Sequence, residues 1–194
     1  MCEAIIRYFQ SYADTPLTKA DIDHIESVFI PKRFKKRQYF LQEGEVCKYG
    51  AFIVKGAMRQ YTVDSKGEEH IIQLFIENWW ANDRESNKAG TPSKYFIDAW
   101  EETEALLTTR ERMYALISQI PAVKEWSEKM EECHFIAVQK RLNAAISLSA
   151  EERFYELEKT YPQFLQRFPQ HIIASYLGIN RETLSRIRGR ATKK

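Results

Sequence analysis

The chain has 194 residues, 44% of them apolar and 13% aromatic, enough for one large domain or two small ones with real cores. Its 29 basic and 27 acidic residues leave a formal charge of only +2, and 7 Gly with 6 Pro exclude collagen-like and linker-like chains. No apolar run approaches the roughly 20 residues of a membrane span. The segment Met1-Cys2-Glu3-Ala4-Ile5-Ile6-Arg7 lacks the basic start and apolar stretch of a signal peptide, so a soluble, cytoplasmic protein is expected.

The three cysteines, Cys2, Cys47 and Cys133, are odd in number and far apart. That argues against a disulfide framework or a Cys-x-x-Cys metal site and for plain thiols in a reducing compartment. The near-neutral total hides an asymmetry. From Gln163 onward there are seven basic residues (Arg167, Arg181, Arg186, Arg188, Arg190, Lys193 and Lys194) against one acid, Glu182, a local +6 on a body of −4. A basic segment on an acidic body suits a polyanion partner met by one end of the molecule, or else a solvated terminus.

In chain order, Ile5, Ile6, Phe9 and Tyr12 recur at helical spacing. Thr18-Lys19-Ala20-Asp21 then starts a second helix with Ile22, Ile25, Val28 and Phe29 on one side. From about Phe34 to Thr109, short β-branched and aromatic runs alternate with turn residues: 38–42, 51–55, 58–63, 69–76, 94–99 and 105–109. Asp64-Ser65-Lys66-Gly67 has hairpin chemistry. About six strands at this spacing predict an antiparallel jelly roll or barrel, with polar residues 82–94 as a loop. The run Lys32-Arg33-Phe34-Lys35-Lys36-Arg37 reads as a solvated strand end or a second DNA or polymerase contact.

After Thr109 the helical period returns, with Met113, Leu116 and Ile117 in a short helix. Pro121 suits the first turn of a long one, reaching about Ser147 without internal Pro or Gly and spanning roughly 40 Å. That helix carries two apolar stripes. One is Val123, Trp126, Met130, Cys133, Ala137 and Ala144, near coiled-coil spacing; the other is Phe135, Val138, Leu142 and Ile146. One stripe can face the chain's own barrel and the other needs a partner, economically a second copy. Trp126, Met130, Cys133 and Ala137 are the expected homodimer seam. A further helix follows over 150–161, and Pro162 and Pro169 bracket a short connection.

Residues 170–189 then read Gln-His-Ile-Ile-Ala-Ser-Tyr-Leu-Gly-Ile-Asn-Arg-Glu-Thr-Leu-Ser-Arg-Ile-Arg-Gly. Ala174 is the small residue a helix-turn-helix needs where its helices approach, and Gly178 supplies the turn. Ile173, Leu177, Ile179, Leu184 and Ile187 form the locking set, and Asn180 sits at an N-cap position. The outward face is Arg181, Glu182, Ser185, Arg186 and Arg188. Arginine suits guanine O6 and N7 bidentately and Glu accepts from cytosine N4. Ser175, Thr183, Ser185, Arg188 and Arg190 are candidate phosphate contacts.

On these residues the chain resembles the Crp/Fnr family of bacterial transcription regulators. Asn180-Arg181-Glu182-Thr183-Leu184-Ser185-Arg186-Ile187 is similar to the family's Arg-Glu-Thr-x-x-Arg recognition helix. Phe40–Glu45, Gly56 and Gly67-Glu68 resemble its cyclic-nucleotide-binding jelly roll, and the Pro121 helix its dimerisation helix. The resemblance implies an α+β chain: a sensor domain over 1–120, a dimerisation helix over 121–148 and a DNA-binding domain over 149–194. It implies a homodimer on double-stranded DNA, reading a near-palindromic operator through Arg181, Glu182 and Arg186. RNA polymerase and an unknown small-molecule effector are further partners it leaves open.

Two departures qualify it. Cyclic-AMP-binding members carry Gly-Glu and Arg-Ser/Thr-Ala elements, where this chain reads Trp79-Trp80-Ala81-Asn82-Asp83-Arg84-Glu85 and Pro92-Ser93-Lys94-Tyr95-Phe96, so cyclic AMP is not the expected effector. Trp80, Glu85, Lys94 and Tyr95 are the candidate pocket residues instead. The β-hairpin wing before the reading motif is also expected to be missing. No resident cofactor is expected: iron–sulfur sensing needs clustered cysteines, and His24, His70, His134 and His171 form no haem or metal set. A cupin-type enzyme would need His-x-His in the strands, where only His70 occurs. The remaining alternative is a small-molecule-binding jelly-roll module whose C-terminal helices mediate protein contacts.

Overall fold

Helices α1 (Cys2–Tyr12) and α2 (Lys19–Val28) form at the predicted places. Thr18 Oγ1 accepts the Asp21 N–H while the Asp21 carboxylate accepts the Thr18 N–H, a reciprocal cap that starts α2. These elements belong to a computed structural model that describes the backbone of residues 1–191 and the side chains of 1–190. Lys193 and Lys194 of the basic tail lie outside the described residues.

Eight strands follow: β1 (Ile30–Phe34), β2 (Tyr39–Leu41), β3 (Tyr49–Lys55), β4 (Met58–Val63), β5 (Glu69–Phe75), β6 (Trp80–Ala81), β7 (Phe96–Ala99) and β8 (Thr103–Thr109). They make two four-stranded sheets, ordered β1-β8-β3-β6 and β2-β7-β4-β5, the jelly roll expected from the strand spacing. Phe34, Leu41, Ile53, Met58, Phe75, Ile97 and Ala105 fill the space they enclose. The extra strands are β1 and β6. β1 pairs with β8 from Ile30↔Leu107 to Phe34↔Thr103, yet four of its five residues are exposed. It is an edge strand carrying Pro31, Lys32 and Arg33, which leaves no alternating pattern to read.

Gly56, between β3 and β4, has φ +103, and a Cβ there would lie 2.6 Å from the Thr103 Cα and the Glu102 carbonyl oxygen. Gly56→Ala combines left-handed strain with a backbone clash, an expected loss of about 2–5 kcal/mol. Urea unfolding measures it, and an unchanged midpoint would contradict the close-approach account.

Segment 82–94 is not the plain loop expected. It contains α3 (Arg84–Ala89), capped by the buried Asp83, whose carboxylate accepts the N–H groups of Glu85 (3.0 Å) and Ser86 (3.2 Å). Five polar residues and one alanine, held by a cap and a left-handed Gly90, have no apolar period to betray a helix. The buried Ser86 hydroxyl accepts the Cys47 N–H and donates to the Thr91 carbonyl, fixing α3 to the segment before β3.

α4 (Arg110–Gln119) and α5 (Pro121–Ser147) follow as predicted. The chain divides into two compact units: Met1–Tyr61 with Phe75–Cys133, and Thr62–Leu74 with residues 134 onward. By contacts the division runs inside α5 and assigns the outer part of the β4–β5 hairpin to the second unit. In the first unit, Ile5, Phe9, Ile25, Phe29, Phe52, Leu106, Leu116, Val123 and Trp126 form one core.

The second unit contains α6 (Ala150–Thr160), α7 (Pro162–Arg167), α8 (Gln170–Leu177) and α9 (Arg181–Ala191). Ser149 and Glu152 make a capping box for α6. Phe154, Leu157, Phe164, Phe168, Ile172, Ile173, Leu184 and Ile187 are among its buried residues. Among the described residues no strand occurs after β8; α7 occupies the space between Pro162 and Pro169 where a wing would stand.

Candidate nucleic-acid interface

The reading motif is assembled from backbone upward. α8 ends at Gly178, φ +66, whose N–H donates to the Ser175 carbonyl while the Ile179 N–H donates to that of Ala174. This paired closure needs a left-handed residue, which glycine adopts without Cβ strain. Asn180 Oδ1 then accepts the Thr183 N–H at 2.8 Å and starts α9. Ala174 is buried, as are Ile173, Leu184 and Ile187, while Leu177 and Ile179 are half-buried.

That inward set fixes the outward one. Arg181, Glu182, Ser185, Arg186, Arg188 and Arg190 are exposed and Thr183 is half-buried. Arg186 Nη2 donates to Thr183 Oγ1 at 3.2 Å, and Arg190 lies 3.8 Å from Glu151 in an exposed pair. Arg181, Glu182 and Ser185 line a recess of about 330 Å³ together with Gln170, the first residue of α8. Gln170 is the member that sequence reading missed; its signal was its place in the first turn of the first helix. The recess has donors, an acceptor carboxylate and one cation, Arg181, the mixture that base edges and phosphates require.

Of the expected pocket residues, Trp80 is committed to the chain's own core. Trp80 packs with Phe29, Phe52 and Trp126 in the helical core, whereas Trp79 packs against the jelly-roll interior. Trp79 immediately precedes β6, where its carbonyl accepts the Ile53 N–H, and neighbouring side chains along such backbone point to opposite faces, so the two indoles separate. Glu85 and Lys94 are exposed and Tyr95 is half-buried.

The expected seam on α5 divides between buried and exposed residues. Trp126 is buried against Tyr8, Phe9 and Trp80, and Met130 accepts the Tyr8 hydroxyl, so both serve their own chain. Burial pushes the Tyr8 phenol up to about 12. Cys133 and Ala137 are exposed. The stripe left over is Phe135, Val138, Leu142 and Ile146, 62%, 51%, 60% and 78% exposed. Period alone could not tell which stripe faces inward.

Asp64, Glu68 and His70 converge at the β4–β5 turn, where Asp64 accepts the Lys66 and Glu68 N–H groups and meets His70 Nε2 at 3.0 Å. These bonds hold its carboxyl below the usual carboxylate range, the His70 contact contributing most. They account for the cluster as turn structure. Among the described residues no helix is long and apolar enough to cross a membrane.

Residues 31–120 match the family model of the cyclic nucleotide-binding domain. Most of the chain is similar in fold to solved structures. FixK2 from Bradyrhizobium japonicum aligns with a TM-score of 0.66 at 19% identity, covering 86% of this chain and 85% of that one. The catabolite activator protein of Thermus thermophilus gives 0.54 at 20% identity, covering 91% and 84%. A protein from Eubacterium rectale, described as of the Crp/Fnr family, gives 0.61 at 17% identity, covering 88% and 82%. No curated protein sequence matches the chain. The class so defined is a cyclic-nucleotide-binding-type jelly roll followed by a long helix and a helix-turn-helix. Its fold is similar to those of these solved structures, one of them described as of the Crp/Fnr family.

Proposed function

We propose that this chain is a sequence-specific DNA-binding transcription regulator, acting as a homodimer on a near-palindromic operator with one α9 in each half-site. The observation carrying this is the exposed Arg181, Glu182, Ser185 and Arg186 face on a helix whose other face is locked by buried Leu184 and Ile187. The likeness in fold to Crp/Fnr regulators supports the same reading. Half-sites stand about one helical turn apart, ~34 Å. Selection of genomic fragments with the purified protein tests it. Enrichment of a twofold-symmetric site at about 100 mM salt is expected, and binding weakens steeply as salt rises. Enrichment of no fragment counts against the reading.

The effector, by this proposal, is not a cyclic nucleotide. The segment that would hold the cyclic phosphate has its α3 amides, Glu85 N–H and Ser86 N–H, already bonded to the buried Asp83 carboxylate. A phosphate there would displace one anion with another beside it, in a site of low dielectric. Calorimetry with cyclic AMP and with cyclic GMP is expected to give no saturable heat, and micromolar binding of either would refute the closed-cassette argument.

A further inference from the structure

The second unit contains a three-element junction. Ser175, on α8, accepts the Ile71 N–H at 2.9 Å and donates to the Glu69 carbonyl at 3.1 Å. Both groups belong to β5, the edge of its sheet. A neighbouring strand would supply one N–H and one C=O to such a pair; here a single hydroxyl supplies both, since it has one donor and two lone pairs. Arg141, on α5, donates to the Ile72 carbonyl and, at 3.3 Å, to Gln73 Oε1. Its guanidinium lies 4.2 Å from the Tyr176 ring centroid, and Nη2 reaches the Tyr176 carbonyl at 3.5 Å. Tyr176 in turn packs edge-on to Phe164.

Only Leu148 and Ser149 separate α5 from α6, so the helical group α6–α9 hangs from α5 at a two-residue joint, braced by Arg153 donating to the Ala145 carbonyl. A single joint permits swivelling. The Ser175–β5 and Arg141–Tyr176 contacts are a second attachment, away from the joint. The exposed Phe135–Ile146 stripe lies on the same helix as Arg141.

We propose that Ser175 and Arg141 form a clasp that fixes α8, and with it α9, relative to the α5 seam, and so sets which operator spacing the dimer accepts. The clasp is a specificity determinant that touches no base. This rests on the operator reading above. Two attachments preorganise the reading helices; one attachment leaves each free to follow a shifted half-site.

The test uses the full-length protein and the selected duplex, with its central spacer changed by one and two base pairs. Ser175→Ala and Arg141→Gln each lower the preference for the original spacer at least about fivefold, and Ser175→Thr restores it. Without DNA, the Ile71 amide exchanges with solvent about tenfold faster in Ser175→Ala, as expected when its side-chain acceptor is replaced by water. Faster exchange with unchanged spacer preference makes the contact merely structural and overturns the proposal. Variants that bind more tightly at the original spacing overturn it too, since the clasp would then be inhibitory. If the wild type binds no duplex, the operator reading itself fails; the exchange comparison still reports whether the clasp forms.

Discussion

Arg181→Ala and Arg186→Ala each weaken binding to the selected operator by about 1–3 kcal/mol, the cost of one bidentate base contact, or roughly 5- to 150-fold. Both side chains leave α9 on its exposed face, and neither contributes to the buried Leu184 and Ile187 side. The thermal midpoint should therefore be unchanged, which separates lost recognition from lost folding. Glu182→Gln is expected to relax discrimination at one base pair while raising non-specific affinity, because it removes the acid from the basic tail. Arg188→Ala acts differently. A phosphate contact weakens all sequences alike and lowers the slope of log affinity against log salt by about 1. Equal losses on operator and random duplex for Arg181→Ala would show that it too meets only phosphates.

Leu142→Glu, or Leu142→Glu with Ile146→Glu, converts a dimer to a monomer in sedimentation equilibrium. Four large apolar side chains on one face of α5 are more than half exposed in the single chain, and burying each is worth about 1.5–3 kcal/mol. A carboxylate in that seam has no partner there and is costly to desolvate. The half-operator affinity of each copy is retained, while affinity for the full site falls by the effective-concentration factor, on the order of 100-fold or more. Trp126→Ala is the contrasting substitution. It opens a cavity in the first unit's core, so it lowers stability by about 3–5 kcal/mol without acting through the seam. Dissociation by Trp126→Ala at intact stability, with none by Leu142→Glu, would return the seam to the other stripe.

Much of the site was legible because its determinants are local. The Gly178 turn, the Asn180 cap and the 3-4 spacing of the locking residues each lie within a few positions of what they control. Element ends at Thr18 and Pro121 were legible for the same reason. Strand β1 was legible only as a solvated strand end at Lys32–Arg37, since its pairing with β8 spans some seventy residues and its exposed Pro31-Lys32-Arg33 shows no alternation. α3 was not, since it is fixed by a cap and by Ser86 bonding to Cys47, thirty-nine positions away. Gln170 joined the reading face only when α8 and α9 were set against one another.

The amino-acid order alone determined that a jelly-roll segment is followed by a long helix and a basic helix-turn-helix, and which side chains of α9 point outward. Periodicity and turn chemistry act over one or two turns of chain, and those facts need nothing longer. Tertiary structure alone decided which α5 stripe is spent on the chain's own core, where Trp79 and Trp80 part company, and that Ser175 serves a strand edge. Each of these depends on surfaces brought together from distant parts of the chain, and an amphipathic pattern states only that a face is apolar, never what will cover it.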